Sequence, residues 1–358
     1  MSTETYHLEE EKTGDLNQEF QDFRGSDLSK KDLSKIPCEA LITSSFDTRT
    51  KWPSSEKMPD GFNPDDLLEK SKNPGLGIRE LHQEGFDGRG VKVAIIDHKL
   101  LANHKEYKDS IADYEEIGKQ GDDPEGHGLA VLSLLVGKDC GVAPKAELHY
   151  TAVPCGRDFT FWTEALEKIL EQNEEKTDNK KIRIVSCSIG FGGGSDDKGV
   201  AEWKKALEEA KNAGIIVVHT SMGQTHNFHF VGGGNTESRE DPTKLDEWLD
   251  FKGKELDLSP NTIMIPCDYR AYASSKGSND YEYSGKGGLS WSCPYLAGLL
   301  ALGLQVNPKL TGEELLDKIY STSKTSKRNG VKVVNPKGFI QAIKDENQTF
   351  PEKSLTLP

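Results

Sequence analysis

Residues 1 to about 35 are polar and densely charged, with few large apolar side chains. Such a segment buries too little surface to order itself, which predicts disorder or a loose attachment. Between Ile36 and Asp60 apolar residues return among Pro37, Pro53 and Pro59, the pattern of an irregular lead-in to a folded region. From Asn63 the rhythm becomes regular. Leu76, Ile78, Leu81 and His82 fall near helical spacing before Gly85. The turn Asp87-Gly88-Arg89-Gly90 is followed by a continuous apolar run over 91–96, as expected of a strand buried on both faces. Strand-like runs recur over 146–153, 182–189 and 215–219, and helix-like ones over 128–137, 161–172 and 201–214. This alternation predicts an α/β fold, a parallel central sheet with helices on both faces in a three-layer sandwich. Residues 225 to about 285 break the rhythm and read as loops with short strands, such as 262–266. A buried helix over 290–305 and a Thr311-x-x-Glu314 capping box follow. The expected division is a polar extension over 1–62, partly disordered or packed irregularly, one α/β domain over 63–345 and a tail over 346–358. No internal repeat is evident.

Composition narrows the function. Hydrophobic residues make up 34% of the 358 and charged residues 29%, so part of the chain serves as surface rather than core. A net charge of −14 repels phosphate backbones and argues against a nucleic-acid partner. The N-terminus has neither the basic start nor the apolar run of a secretory signal. No stretch of about 18 apolar residues is evident, so neither a membrane span nor a membrane partner is expected. The six cysteines, none in a CxxC pair, are expected as free thiols of a cytoplasmic protein without a zinc site.

Three residues carry candidate chemistry. Asp97 ends the apolar run 91–96, which places a carboxylate at the carboxyl edge of a parallel sheet, where open α/β sheets hold ligands. Alone it reads equally as a helix-capping aspartate. His127 lies between glycines at the start of an apolar helix. A helix N-terminus disfavours a protonated ring, so a functional His127 needs a carboxylate partner. Ser290 follows a glycine-rich turn at the head of a helix, where backbone N–H groups can stabilise an oxyanion, although a plain N-cap serine fits as well.

Taken together, the order Asp, His, Ser, each at a loop-to-helix junction of a parallel α/β chain, resembles the subtilisin-like serine peptidases. GRGVKVAIIDHKL is similar to the family's strand ending in the catalytic aspartate, and GHGLAVLSLLVG to its histidine helix. GVAPKAEL is similar to the turn that follows, and GGLSWSCPYLAGLLAL to its serine helix. IVSCSIG resembles the strand whose backbone, here Ser188, Ile189 and Gly190, pairs with extended substrate. The resemblance covers about residues 75 to 343. It implies a serine endopeptidase acting on peptides or proteins through Asp97, His127 and Ser290 and an acyl-enzyme; no cofactor is expected, and no metal, since no acidic cluster matches a calcium loop.

The chain departs from the family in places. An oxyanion asparagine is usual after the strand matching 215–219; here Gln224 stands one residue late and Asn227 is the nearest asparagine. Leu129 and Ala130 replace a threonine and a histidine beside His127, and Leu289 and Trp291 flank Ser290. These departures keep open a catalytically weak or inactive relative that binds peptides or a partner protein. A processing peptidase of narrow specificity is a further expectation, because the loops over 225–285 can restrict the cleft.

Overall fold

The computed structural model describes residues 21–192, 197–235, 241, 244, 259, 261–327 and 330–349. Of the stretch to about residue 35 expected to be disordered or loosely attached, residues 1–20 lie outside the described residues, as do the tail from residue 350 and most of residues 236–258. In chain order the elements are α1 (Cys38–Ile42), β1 (Ser45–Asp47), α2 (Pro64–Lys72), α3 (Ile78–Gln83), β2 (Lys92–Asp97) and β3 (Ile111–Glu116). Next come α4 (Gly126–Val136), β4 (Glu147–Ala152), α5 (Phe159–Glu174), β5 (Ile184–Cys187), α6 (Val200–Asn212) and β6 (Ile216–His219). The last are β7 (His229–Gly233), β8 (Thr262–Pro266), β9 (Arg270–Ala273), β10 (Tyr281–Ser284), α7 (Leu289–Val306), α8 (Gly312–Thr322), β11 (Lys324–Thr325), β12 (Lys332–Val333) and α9 (Pro336–Thr349).

Strands β3, β4, β2, β5 and β6, in that spatial order, form a parallel sheet. Side chains alternate across a strand, and here both faces are apolar. Val93 and Ile95 of β2 join a core with α4 and α7, while Ala94 and Ile96 join a separate core with α5 and α6. The three-layer α/β architecture expected from the alternation is therefore present. β7, β8 and β12 form a second parallel set with β11 antiparallel at its edge, and β1, β10 and β9 form a small antiparallel sheet. β3 escapes the sequence pattern because its run IADYEE is largely exposed.

α7 has the length and hydropathy to cross a membrane, 18 residues at a mean of 1.3, which differs from the expectation that no such stretch exists. It is 72% buried inside the fold, packed against α4, β5, β6 and β8. Its apolar circumference is that of a helix surrounded by protein.

Residues 21–62 are ordered on the antiparallel sheet. They carry a five-residue period that the sequence pattern concealed: Asp22-Phe23, Asp27-Leu28 and Asp32-Leu33. Each aspartate accepts the backbone N–H two residues on, at 3.1 Å. Each following apolar residue is buried, and its N–H donates to the carbonyl of Ser45, Lys51 or Lys57. Phe23, Leu28, Leu33 and Phe46 thereby form a third core with Tyr281 and Tyr283 of β10.

Candidate active site

Asp97 ends β2 with its side chain fully buried. Its Oδ1 accepts the His98 N–H at 2.8 Å and the His127 Nδ1 at 2.7 Å. The helix carrying His127 reaches that carboxylate because of Gly128. A Cβ there would collide with the His98 carbonyl and lie 2.5 Å from the Tyr150 hydroxyl, which itself donates to His98 O at 2.5 Å. Only a residue without a side chain lets the first turn of α4 press against the end of β2.

Burial pushes the Asp97 carboxyl up, yet the His127 charge and hydrogen bond, with smaller help from His98, leave it below its ordinary value. Reciprocally, the Asp97 charge raises the His127 imidazole above its ordinary value against the opposing effect of burial. An ionised carboxylate only accepts, so Nδ1 of His127 carries the proton and Nε2 keeps its lone pair. Among the described residues, Asp97, His98 and His127 bring ligand atoms within 4.8 Å, close enough for a metal ion. The Asp97–His127 hydrogen bond already accounts for two of the three.

Ser290 is half-buried in the first turn of α7. Pro294 sits four residues on and has no N–H, so the Ser290 carbonyl lacks its helical donor. The Ser188 hydroxyl replaces it, donating to Ser290 O at 2.6 Å. In return the Ser290 hydroxyl donates to Ser188 O at 3.1 Å. No hydrogen bond joins Ser290 Oγ to His127 in this arrangement. Asp97 and His127 are thus assembled as a pair, whereas Ser290 is held by β5's extension. The Ser290 N–H is among the unpaired donors of the helix start, an electropositive end suited to a developing oxyanion.

Ser290 opens on a recess of about 390 Å³. Ser188, Ile189, Gly190 and Phe191 line it together with the adjoining Thr220 and Ser221, with Leu289 and Arg157 at the rim. The expected substrate-strand residues therefore adjoin the serine. Gln224 is exposed and its Nε2 donates to Phe191 O at 3.0 Å; Asn227 is exposed, in a left-handed conformation (φ 50°). Neither lines the recess. Sequence reasoning missed Thr220, Ser221 and Arg157. Thr220 and Ser221 directly follow the buried parallel strand β6, so a signal for them was present in the apolar run over 215–219.

The sequence profile of the subtilase family matches residues 88–338, more than half of the chain. The chain is 23% identical over 303 residues to the subtilisin-like protease PopC of Myxococcus xanthus (strain DK1622), covering 74% of this chain and 62% of PopC. It is 24% identical over 268 residues to subtilisin DY of Bacillus licheniformis, covering 70% of this chain and 89% of that relative. The fold is similar to a chain of the subtilase cytotoxin SubAB assembly, with a TM-score of 0.55 and 16% identity over 78% of this chain and 97% of the other.

Proposed function

The chain belongs to the subtilase family of serine peptidases, and from that premise we propose that it cuts peptide bonds with Asp97, His127 and Ser290 as its triad. The observation that carries this reading is the 2.7 Å bond between His127 and a buried, ionised Asp97 at the end of β2, the strand paired with β5, whose extension holds Ser290. Ser290 Oγ leaves the Ser188 carbonyl as substrate enters, turns to Nε2 of His127 and attacks the peptide carbonyl while His127 takes its proton. His127 then protonates the leaving amine, and Asp97 holds the imidazole tautomer and stabilises the imidazolium. The Ser290 N–H serves the oxyanion, with Gln224 or Asn227 as the side-chain donor recruited from its resting position. Ser188, Ile189 and Gly190 offer backbone to an extended peptide.

Residues 63–345 form the peptidase domain in this reading, with 1–62 as a polar extension, of which residues 21–62 pack on the domain, and 346–358 as a tail. Peptides or proteins are the substrates, without nucleic acid or membrane. Restricted processing suits the site better than general digestion, because the recess is shallow and its walls are tied together. The free state of the six cysteines supports a cytoplasmic location.

The resting Ser290–Ser188 bond and the undocked Gln224 favour a second reading, a peptide-binding relative with little or no turnover. Incubation of the purified chain with a proteome-derived peptide library decides between them. New peptide termini that vanish with Ser290→Ala support the protease. Retention of peptides without cleavage supports the binding protein.

A further inference from the structure

For Ser290 Oγ to attack a carbonyl carbon, that carbon must come within bonding reach of it. The side chain of the residue bearing the carbonyl then falls into the recess beside Ser290. Depth there requires the backbones leaving β5 and β6 to part, because a gap between two diverging strands is the space a side chain can fill.

In this chain they do not part. The β5–β6 ladder runs to Cys187 opposite His219 and continues past both strands, with the Thr220 N–H donating to Ile189 O at 3.1 Å. Ser221 extends it through its side chain: Oγ accepts the Phe191 N–H at 3.0 Å and donates to Phe191 O at 2.9 Å. The Gln224 amide adds a donor to the same carbonyl. Thr220 fills what remains. A Cβ on Gly190 would collide with Thr220 Oγ1 and lie 2.8 Å from Ser221 Oγ. Behind this seam the Phe191 ring stacks on the buried His219 at 5.5 Å. In front of it Arg157 donates to Gly190 O at 2.9 Å. The space left beside Ser290 is an open trough floored by backbone and hydroxyl groups, with Leu289 as an apolar rim.

We infer that Thr220 and Ser221 close the side-chain slot, so that the enzyme takes glycine, alanine or serine on the acyl side of the bond it cuts. The inference rests on the peptidase reading above. A leucine or phenylalanine at that position would have to displace Thr220 or stay in water, and a pocket discriminates apolar side chains by about 10- to 200-fold through such differences.

Peptidyl diphenyl phosphonates test this, since Ser290 Oγ displaces phenoxide from phosphorus and is left covalently marked. Two such probes, identical except for alanine or phenylalanine next to phosphorus, are compared on the full chain. A small alkyl fluorophosphonate without a peptide serves as the control for Ser290 itself. The expected result is that the alanine probe reacts at least about 10-fold faster. Thr220→Gly should then raise the phenylalanine rate relative to the alanine rate by a similar factor, each rate being taken relative to the same variant's alkyl control. Thr220→Ala, the milder variant, should lie between. A wild-type chain that reacts faster with the phenylalanine probe overturns the inference. So does a probe ratio unmoved in a folded Thr220→Gly that still takes the alkyl control. Failure of the alkyl control on the wild-type chain instead removes the peptidase reading, and the inference with it.

Discussion

Pro294 determines what Ser290 does at rest. It strips the Ser290 carbonyl of its helical donor and leaves the Ser188 hydroxyl to replace it. Ser188→Ala should therefore cost about 1–3 kcal/mol in thermal or urea unfolding, the penalty for an orphaned, partly buried carbonyl. The Ser188 carbonyl survives that change, so the Ser290 hydroxyl keeps its resting acceptor. The dyad makes a separate prediction. His127 works as a base only when neutral, and Asp97 raises its pKa above the ordinary value of about 6.5. Reaction at Ser290 should fall as pH drops through a midpoint above about 6.5. Asp97→Asn should move that midpoint down and slow the reaction by about 10⁴, by analogy with the same exchange in another serine protease. A pH profile of Ser290 modification in both proteins checks the sign and the size. The three proposed triad residues were legible in the sequence because Asp97 ends a buried apolar run and His127 and Ser290 stand at the heads of apolar helices. The Ser188–Ser290 exchange was not, since it depends on two elements distant in sequence lying side by side.

Close approach of elements places these residues, and glycines permit it. Gly128 lets α4 meet the end of β2, and Gly298 lets α7 meet Val142, where a Cβ would lie 2.5 Å from the valine's own. Gly128→Ala should separate His127 from Asp97, costing about 1–3 kcal/mol in stability by overpacking. It should also slow Ser290 modification with the triad side chains all present. A variant that reacts at the wild-type rate would show that α4 is seated by something else. The buried strands were readable as continuous apolar runs rather than from the strand period of 2, and the amphipathic helices from the period of 3.6. β3 was not, because its exposure hides both signals. The five-residue period over 22–36 matches neither period. Its apolar residues are spaced to fill a core that β10 supplies from far along the chain.

The molecule as a whole consists of a three-layer α/β body with an antiparallel sheet to which residues 21–62 are fastened. β1 covers the edge of β10, and Phe23, Leu28, Leu33 and Phe46 cover its tyrosines. No described residue of 21–62 lines the recess beside Ser290. The segment accordingly supports the body without blocking the site. Deleting residues 1–47 should remove about 2 kcal/mol of burial for each of those four side chains. It should also bare a strand edge prone to association. A lowered Tm with concentration-dependent aggregation is the expected result, and an unchanged Tm would contradict the packing described. The density of charge in this stretch masked its order in the sequence, because its few apolar residues are all spent on one contact.

Peptide-bond cleavage by this chain requires Ser290 to be a working nucleophile, and fluorophosphonate labelling of the purified chain measures that directly. Labelling should map to Ser290, disappear in Ser290→Ala and fall steeply in His127→Ala. A folded wild-type chain that stays unlabelled, or labels equally in Ser290→Ala, would contradict the triad and leave the recess as a peptide-binding surface.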